Sequence, residues 1–272
     1  MDQPVVIITG ASSGIGAAAA LTLGDAGYRV VLAARRMKRL TDLASRIRER
    51  GGDALPVQTD LSQADQVDHL VMKTLQVYGR IDILINNAGY GRLVWLDEQT
   101  AAAIQDQIQV NLISPILLTK AVLPRMISQG SGHIIQIASI SSWVGLPTYS
   151  IYTAFKFGLR GFMESLSREL MGTGITVSVI YPGAVDTEFD QHAGVHWKIT
   201  RVTPNWLLLP AEKVSRYILD AIQKKKKKII VPGVMRLAIW ANTIFPRAVS
   251  WVVSKYFYRE DGKTVAWRDA QE

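Results

Sequence analysis

The chain has 272 residues, with 31 Lys plus Arg against 23 Asp plus Glu, four His and no Cys, for a formal net charge of +8. Such a length buries a substantial core as one large α/β domain or two small ones, and the lack of cysteine excludes a disulfide framework, a thiolate nucleophile and any cysteine-ligated metal. The cationic excess suits an anionic partner such as a nucleotide phosphate, a nucleic acid or a membrane surface.

The first residues, Met1-Asp2-Gln3-Pro4, lack the basic and apolar regions of a signal peptide, so cytoplasmic synthesis is expected. From there to about residue 232, short β-branched apolar runs alternate with longer amphipathic stretches. In chain order the predicted strands are Val5–Thr9, Arg29–Ala34, Ala54–Gln58, Ile81–Asn86, His133–Ala138, Thr176–Tyr181 and Lys228–Val231. Helical patterns at Met37–Arg50, Ala64–Tyr78 and Ala211–Gln223 lie between them. Buried strands alternating with crossover helices specify an α/β fold: a Rossmann-type, doubly wound sheet of seven parallel strands with helices on both faces. Ligands of such sheets gather at the carboxyl ends of the strands. No internal repeat or linker divides residues 1–232, which read as one domain.

Three segments depart from the alternation. Asp186–Thr203 is polar, carries Gly194 and two histidines, and reads as a lid beside the active site. Lys224 to Lys228 is a run of five lysines, first of all a solvated helix C-terminus where cations suit the dipole. Residues 233–272 form an apolar and basic extension, with a helix pair over Val234–Phe257 broken at Pro246. No run there reaches the ~18–20 apolar residues that span a bilayer. The extension is open to packing on its own domain, to a subunit contact, or to peripheral membrane contact through 233–258.

The first strand runs into Thr9-Gly10-Ala11-Ser12-Ser13-Gly14-Ile15-Gly16. Glycines between a strand and a helix let backbone N–H groups and the helix dipole hold a pyrophosphate. The same segment satisfies G-x-S-x-G, the nucleophile elbow of an α/β hydrolase with Ser12 as nucleophile. On the first strand, however, that elbow would have no preceding strand to supply an oxyanion loop. The second strand ends in Ala34-Arg35-Arg36 with no carboxylate, so Arg35 is expected to hold the 2′-phosphate of NADP(H).

Tyr152 and Lys156 are spaced i, i+4, which on a helix places a phenol and an ammonium on one face. There the ammonium is expected to lower the phenol's pKa from ~10 toward the range of an acid–base catalyst. His192 and His196 share that spacing, but Gly194 lies between them and no H-E-x-x-H motif is present, so no metal is expected.

With these motifs in order, the chain resembles the short-chain dehydrogenase/reductase family, in its compact branch of about this length, over roughly residues 4 to 232. Gly10, Gly14 and Gly16, with Ser12, Ser13 and Ile15, resemble the family's cofactor turn. Asp60-Leu61 resembles the adenine-contacting pair, and Asn86-Asn87-Ala88-Gly89 the segment that stabilises the sheet and lines the cofactor. Asn111, Ser139, Tyr152 and Lys156 match the catalytic tetrad, while Tyr181-Pro182-Gly183 with Val185 and Thr187 matches the nicotinamide side. NADPH-using members often carry a basic residue before the middle glycine; here it is Ser13, which leaves the preference to Arg35.

The resemblance implies an NADP(H)-dependent oxidoreductase interconverting a carbonyl and an alcohol. Tyr152 would be the acid, Lys156 its modulator and ribose contact, Ser139 a donor to the substrate oxygen, and Asn111 the holder of a water relay. Ser141 and Ser142 compete for the part of Ser139, and Asn111 could instead cap or kink a helix near Pro115. A non-catalytic NADPH sensor of the same fold is the alternative function. The family also implies a homodimer or homotetramer, and no nucleic-acid partner is expected. Ser141, Trp143, Leu146, Tyr149, Val185, Phe189 and Trp197 are expected around the substrate, favouring a bulky apolar carbonyl compound of steroid, retinoid or lipid type.

Overall fold

Along the first strand, Val5 and Ile7 turn to one face of the sheet and Val6 and Ile8 to the other, and all four are fully buried. A strand apolar on both sides belongs at the centre of a covered parallel sheet. The computed structural model, which describes residues 3–189, 203–256, 258–260 and 263–265, places it there. Strands β1 (Val5–Thr9), β2 (Arg29–Ala34), β3 (Asp53–Gln58), β4 (Ile83–Asn86), β5 (Gly132–Ile137), β6 (Ile175–Pro182) and β9 (Lys228–Val231) form one parallel sheet in the order β3-β2-β1-β4-β5-β6-β9. The strand order reverses between β1 and β4. Ends differ from the sequence-based expectation by one or two residues. β4 starts late because Asp82 turns its carboxylate to the amide of Val5 at 2.8 Å and to Arg80.

Helices α1 (Gly14–Asp25) and α2 (Met37–Glu49), with α7 (Ala211–Lys224), cover one face through Leu23, Leu40, Ile47, Val214 and Ile218. The other face packs on α3 (Ala64–Tyr78), on α5 (Ser114–Gln129) and on α6 (Ser150–Glu169) through Leu70, Leu118, Met126 and Met163. α4 (Ala101–Ile108) runs through a π turn at Gln109–Ile113 into α5, giving one 29-residue helix. By length and composition this is the one described helix that could cross a bilayer. Its Leu118, Val122 and Met126 are buried without exposure against the sheet, the packing of a core helix.

Two short strands, β7 (Val185–Asp186) and β8 (Leu209–Pro210), pair in parallel and flank the expected lid, whose residues 190–202 lie outside the described ones. Beyond β9, α8 (Met235–Ile244) and α9 (Pro246–Tyr256) form the helix pair expected from the sequence, with the break at Pro246.

Candidate active site

The cleft opens where the strand order reverses. Gly10 and Gly14 adopt φ of +66° and +53°, the left-handed region that glycine enters without strain. Gly16 allows closer packing still: a Cβ there would lie 2.3 Å from the Gly10 carbonyl oxygen. The Thr9 hydroxyl accepts from the amides of Asn87 and Ala88 at 3.0 Å each, while Asn87 Nδ2 donates to the Thr9 carbonyl at 2.9 Å. The carboxyl ends of β1 and β4 are thereby laced together. What remains is a cavity of about 550 Å³ floored by the glycine turn and the first turn of α1, which carries no acidic residue. A cradle that Cβ atoms would fill, at a bare helix N-terminus, fits a dinucleotide pyrophosphate. The cavity is lined by Arg35, Arg36, Asp60 and Leu61, by Asn87, Ala88 and Gly89, by Thr187 over Gly14, and by Asn111, Tyr152, Lys156 and Phe189.

Both arginines line the cleft, and the sequence reading singled out only Arg35. Arg36 is the one built into it. Its Nε and Nη2 donate to the Ser12 hydroxyl at 3.1 and 2.9 Å, Nη2 also to Ser13 at 2.7 Å, and Nη1 to Glu188 at 2.9 Å. Arg39 donates to the other oxygen of Glu188 at 2.6 Å. Hydrogen bonds from Arg36 and then Arg39 hold the Glu188 carboxyl down at about 2, so it stays ionised at neutral pH. Neither Arg36 nor Glu188 carried a signal in the sequence beyond charge.

Helix α6 brings Tyr152 and Lys156 to the cleft, as their i, i+4 spacing requires, and both are buried. Lys156 Nζ donates to the Ile137 carbonyl at 3.2 Å, at the end of β5, and lies 5.6 Å from the centre of the Tyr152 ring. The expected lowering of the phenol's pKa is not what this pair exhibits. Burial pushes Tyr152 up to about 12, with only the hydrogen-bonded Ser139 hydroxyl acting the other way, and burial pushes Lys156 down to about 8. Loss of water drives both groups toward their neutral forms.

Ser139, not Ser141 or Ser142, is the serine beside Tyr152. It caps the short turn Ile140–Ser142, its hydroxyl accepting from the Ser141 amide at 3.1 Å. Ser141 and Ser142 are buried away from the cleft. Asn111 sits inside the π turn, neither capping nor breaking the helix. Its Oδ1 accepts from the Tyr90 amide at 2.9 Å and its Nδ2 donates to the Gln107 carbonyl at 2.7 Å. Gln107, fully buried one turn earlier, accepts from the Arg92 amide at 2.9 Å. The helix thus pins the loop that carries Gly89 and Gly91. A Cβ on Gly89 would lie 2.7 Å from Asn111 Oδ1, and one on Gly91 would lie 2.6 Å from Cδ2 of Tyr152. Gln107 and Gly91 were missed from the sequence, because nothing local to them announces the docking.

Several expected site residues lie elsewhere. Trp143 does not line the cleft: it packs edge-on to Tyr181 at 5.7 Å, with Arg160 and Lys228 3.3 and 3.9 Å from its ring centre. Its ring is partly buried against the core cluster instead. Tyr149 sits behind the cleft, edge-on to Tyr152 at 5.8 Å, in a cluster with Leu93 and Phe155. Pro182, Gly183 and Val185 form the end of β6 and the start of β7 outside the cleft wall; the Gly183 amide donates to the Val231 carbonyl at 2.7 Å. Trp197, His192 and His196 lie outside the described residues. Among the described residues no cluster of three metal-ligating side chains occurs.

A glycine cradle at the sheet's reversal and a buried Tyr–Lys pair with a serine at one cleft are matched by family-level similarity. A family model described as short chain dehydrogenase covers residues 4–196. The chain belongs to the short-chain dehydrogenase/reductase family. It is 38% identical over 193 residues to a 3-oxoacyl-[acyl-carrier-protein] reductase of Synechocystis sp., covering 71% of this chain and 78% of that one. A short-chain dehydrogenase from Sphingobium yanoikuyae in complex with NADPH superposes with a TM-score of 0.78 at 31% identity, over 96% of this chain and all of the other. One from Burkholderia phymatum in complex with NAD gives 0.82 at 25% identity, over 91% and 95%. As a member of this family the protein is an NAD(P)-dependent oxidoreductase of CH–OH and carbonyl groups.

Proposed function

We propose that the protein reduces a bulky apolar carbonyl compound with NADPH, reversibly, using Tyr152 as the proton donor. The observation that carries this reading is that Tyr152 and Lys156 line the same cleft as the glycine turn, with the Ser139 hydroxyl hydrogen-bonded to Tyr152. The cofactor would lie with its pyrophosphate on Gly10–Gly16, its adenine near Asp60 and Leu61, its 2′-phosphate at Arg35 and Arg36, and its other end near Asn87–Gly89 and Thr187. When bound it supplies the hydride.

The chain's own groups supply the proton and the aim. With its pKa at about 12, Tyr152 carries its proton throughout the neutral range and can deliver it to a carbonyl oxygen as negative charge develops there. Ser139 donates a second hydrogen bond to the same oxygen. Lys156, charged below about pH 8, stabilises the phenolate left behind and holds ribose hydroxyls. Asn111 keeps the loop over the reacting groups in place, and a water relay to Lys156 beside it completes the proton path. Tyr152 and Phe189 give the reacting end an aromatic lining, which favours lipid-like ketones over sugars. Similarity to a reductase of 3-oxoacyl chains supports the same class. Assembly as a homodimer or homotetramer through α5 and α6, where Ile127 and Phe157 are exposed, belongs to this reading, as does a cytoplasmic location.

NADPH consumption across a panel of steroid, retinoid and long-chain acyl ketones, with NADH in parallel, tests the proposal. Turnover of lipid ketones with NADPH is expected, and Tyr152→Phe should lower it by about 10³-fold or more while sparing NADPH binding. Turnover confined to small polar carbonyls rejects the substrate class. Tight NADPH binding with no turnover on any member rejects the enzyme in favour of a cofactor-binding sensor.

A further inference from the structure

Between Asp220 and Glu260 the chain carries nine cations and no acidic residue, more positive charge than the net +8 of the whole. In this stretch α8 presents two unlike faces. Met235, Ile239 and Asn242 recur at i, i+4 and i+7 on the side turned to the body: Ile239 is buried, and Asn242 Nδ2 donates to the Trp143 carbonyl at 3.3 Å. Leu237, Trp240 and Ile244 occupy the opposite side and are 66, 58 and 52% exposed. Phe245 and Trp251, 54 and 61% exposed, carry the band into α9. There Arg247, Trp251 and Lys255 share one side at i, i+4 and i+8, with the Lys255 ammonium 3.5 Å from the Trp251 ring centre. Soluble monomers rarely leave so continuous an apolar surface bare.

We propose that α8 and α9 dock on a bilayer carrying anionic lipid headgroups, with Trp240, Phe245 and Trp251 at the acyl boundary and Arg236, Arg247 and Lys255 against the headgroup phosphates. Aromatic and aliphatic side chains on one side, flanked by cations whose stems reach up to the polar layer, are what an interfacial helix needs. A second copy of the chain fits this face less well. A two-fold contact would set a patch holding three cations against the same patch, and neither helix offers a carboxylate to neutralise them.

The opposite side of α9 gives the docking a use. Val249 and Val253 line a cavity of about 360 Å³ with Trp95, Leu146 and Pro147. Leu146 in turn packs on the cluster containing Tyr152. An apolar compound leaving the bilayer under α9 would reach that cavity before the catalytic hydroxyl. This last step rests on the reductase reading; the docking does not.

Flotation of the full chain with phosphatidylcholine vesicles containing roughly 30% phosphatidylserine tests the docking. The protein should float with these vesicles, float weakly with pure phosphatidylcholine, and show a blue shift of tryptophan emission on binding. The double variant Leu237→Glu, Trp240→Glu alters only exposed side chains. It should keep its melting temperature and NADPH binding yet lose at least about tenfold in vesicle partitioning. Folded wild-type protein that stays with the pellet, or a double variant that floats unchanged, overturns the docking. So does a double variant that keeps its vesicle binding while a larger assembly dissociates in size-exclusion chromatography. None of these readouts uses turnover, so failure here and failure of the reductase reading are separately visible.

Discussion

Glu188 bridges Arg36 and Arg39 with its two carboxylate oxygens, at 2.9 and 2.6 Å. It thereby ties the segment after β7 to the start of α2, across the end of the cleft where a 2′-phosphate would sit. It also occupies a donor of Arg36 that such a phosphate would use. Glu188→Gln is therefore expected to tighten NADPH by about two- to fivefold, the size of a partly exposed ion pair, and to leave NADH nearly unchanged. Arg36→Ala should weaken NADPH about tenfold or more and again spare NADH. Fluorescence titration of both dinucleotides against each variant checks the pair of outcomes.

Gly91 gives the Tyr152 ring its room. A methyl at that position would lie 2.6 Å from Cδ2 of the ring and 3.3 Å from Phe189. The backbone cannot easily yield, because Gln107 and Asn111 hold the amides on either side of it. The ring is also braced by Tyr149, Phe155 and Phe189. Gly91→Ala is expected to lower kcat by about 10- to 100-fold through a displaced hydroxyl, with the NADPH dissociation constant within about twofold of wild type. Steady-state kinetics alongside binding titrations separate the two effects.

Lys156 is held in the protein at some cost. Its pKa falls from 10.5 in the unfolded chain to about 8 in the folded one. Between those values the unfolded chain binds more protons, so stability rises with pH from 8 to 10.5, and the full penalty for burying the charge applies below pH 8. Lys156→Met removes that penalty and the bond to the Ile137 carbonyl. The net expectation is a gain of about 1–2 kcal/mol at pH 7, shrinking as pH rises toward 10, together with loss of activity. Thermal melts from pH 6 to pH 9 would register the trend.

His133 imposes the opposite end of the pH range. Buried in β5 and bonded to the Ser178 hydroxyl at 2.6 Å, it drops from 6.5 to about 4, chiefly through burial and then through Lys225. A depressed histidine contributes stability that is complete above pH 6.5 and disappears as pH falls toward 4, up to about 3 kcal/mol. His133→Gln should be less stable at pH 7 yet lose less on acidification. Urea unfolding at pH 7 and pH 4.5 compares the slopes.

What the sequence made readable was whatever local pattern alone specifies. Uninterrupted β-branched runs named the strands of the main sheet, glycines at fixed offsets named the cradle, and an i, i+4 pair named the face of α6 that turns to the cleft. What stayed hidden depends on tertiary placement. Arg35 and Arg36 are neighbours with the same chemistry, and only the start of α2 at Met37 decides which guanidinium folds back onto Ser12 and Ser13. Trp143 follows Ser139 closely in sequence, yet two cations and Tyr181 claim its ring. The pKa of Tyr152 was misjudged because spacing reports a neighbour's charge and says nothing of how much water both groups have lost.

The π turn at Gln109–Ile113 uses one more residue than an ordinary helical turn needs. Deleting any residue of that segment would regularise the winding and favour the helix locally, while swinging everything before it about the axis by roughly 100°. Gln107 would then face away from the loop it anchors. At this point the count of residues matters as much as their kind, and a one-residue deletion should cost more than a mild substitution at any of the five positions.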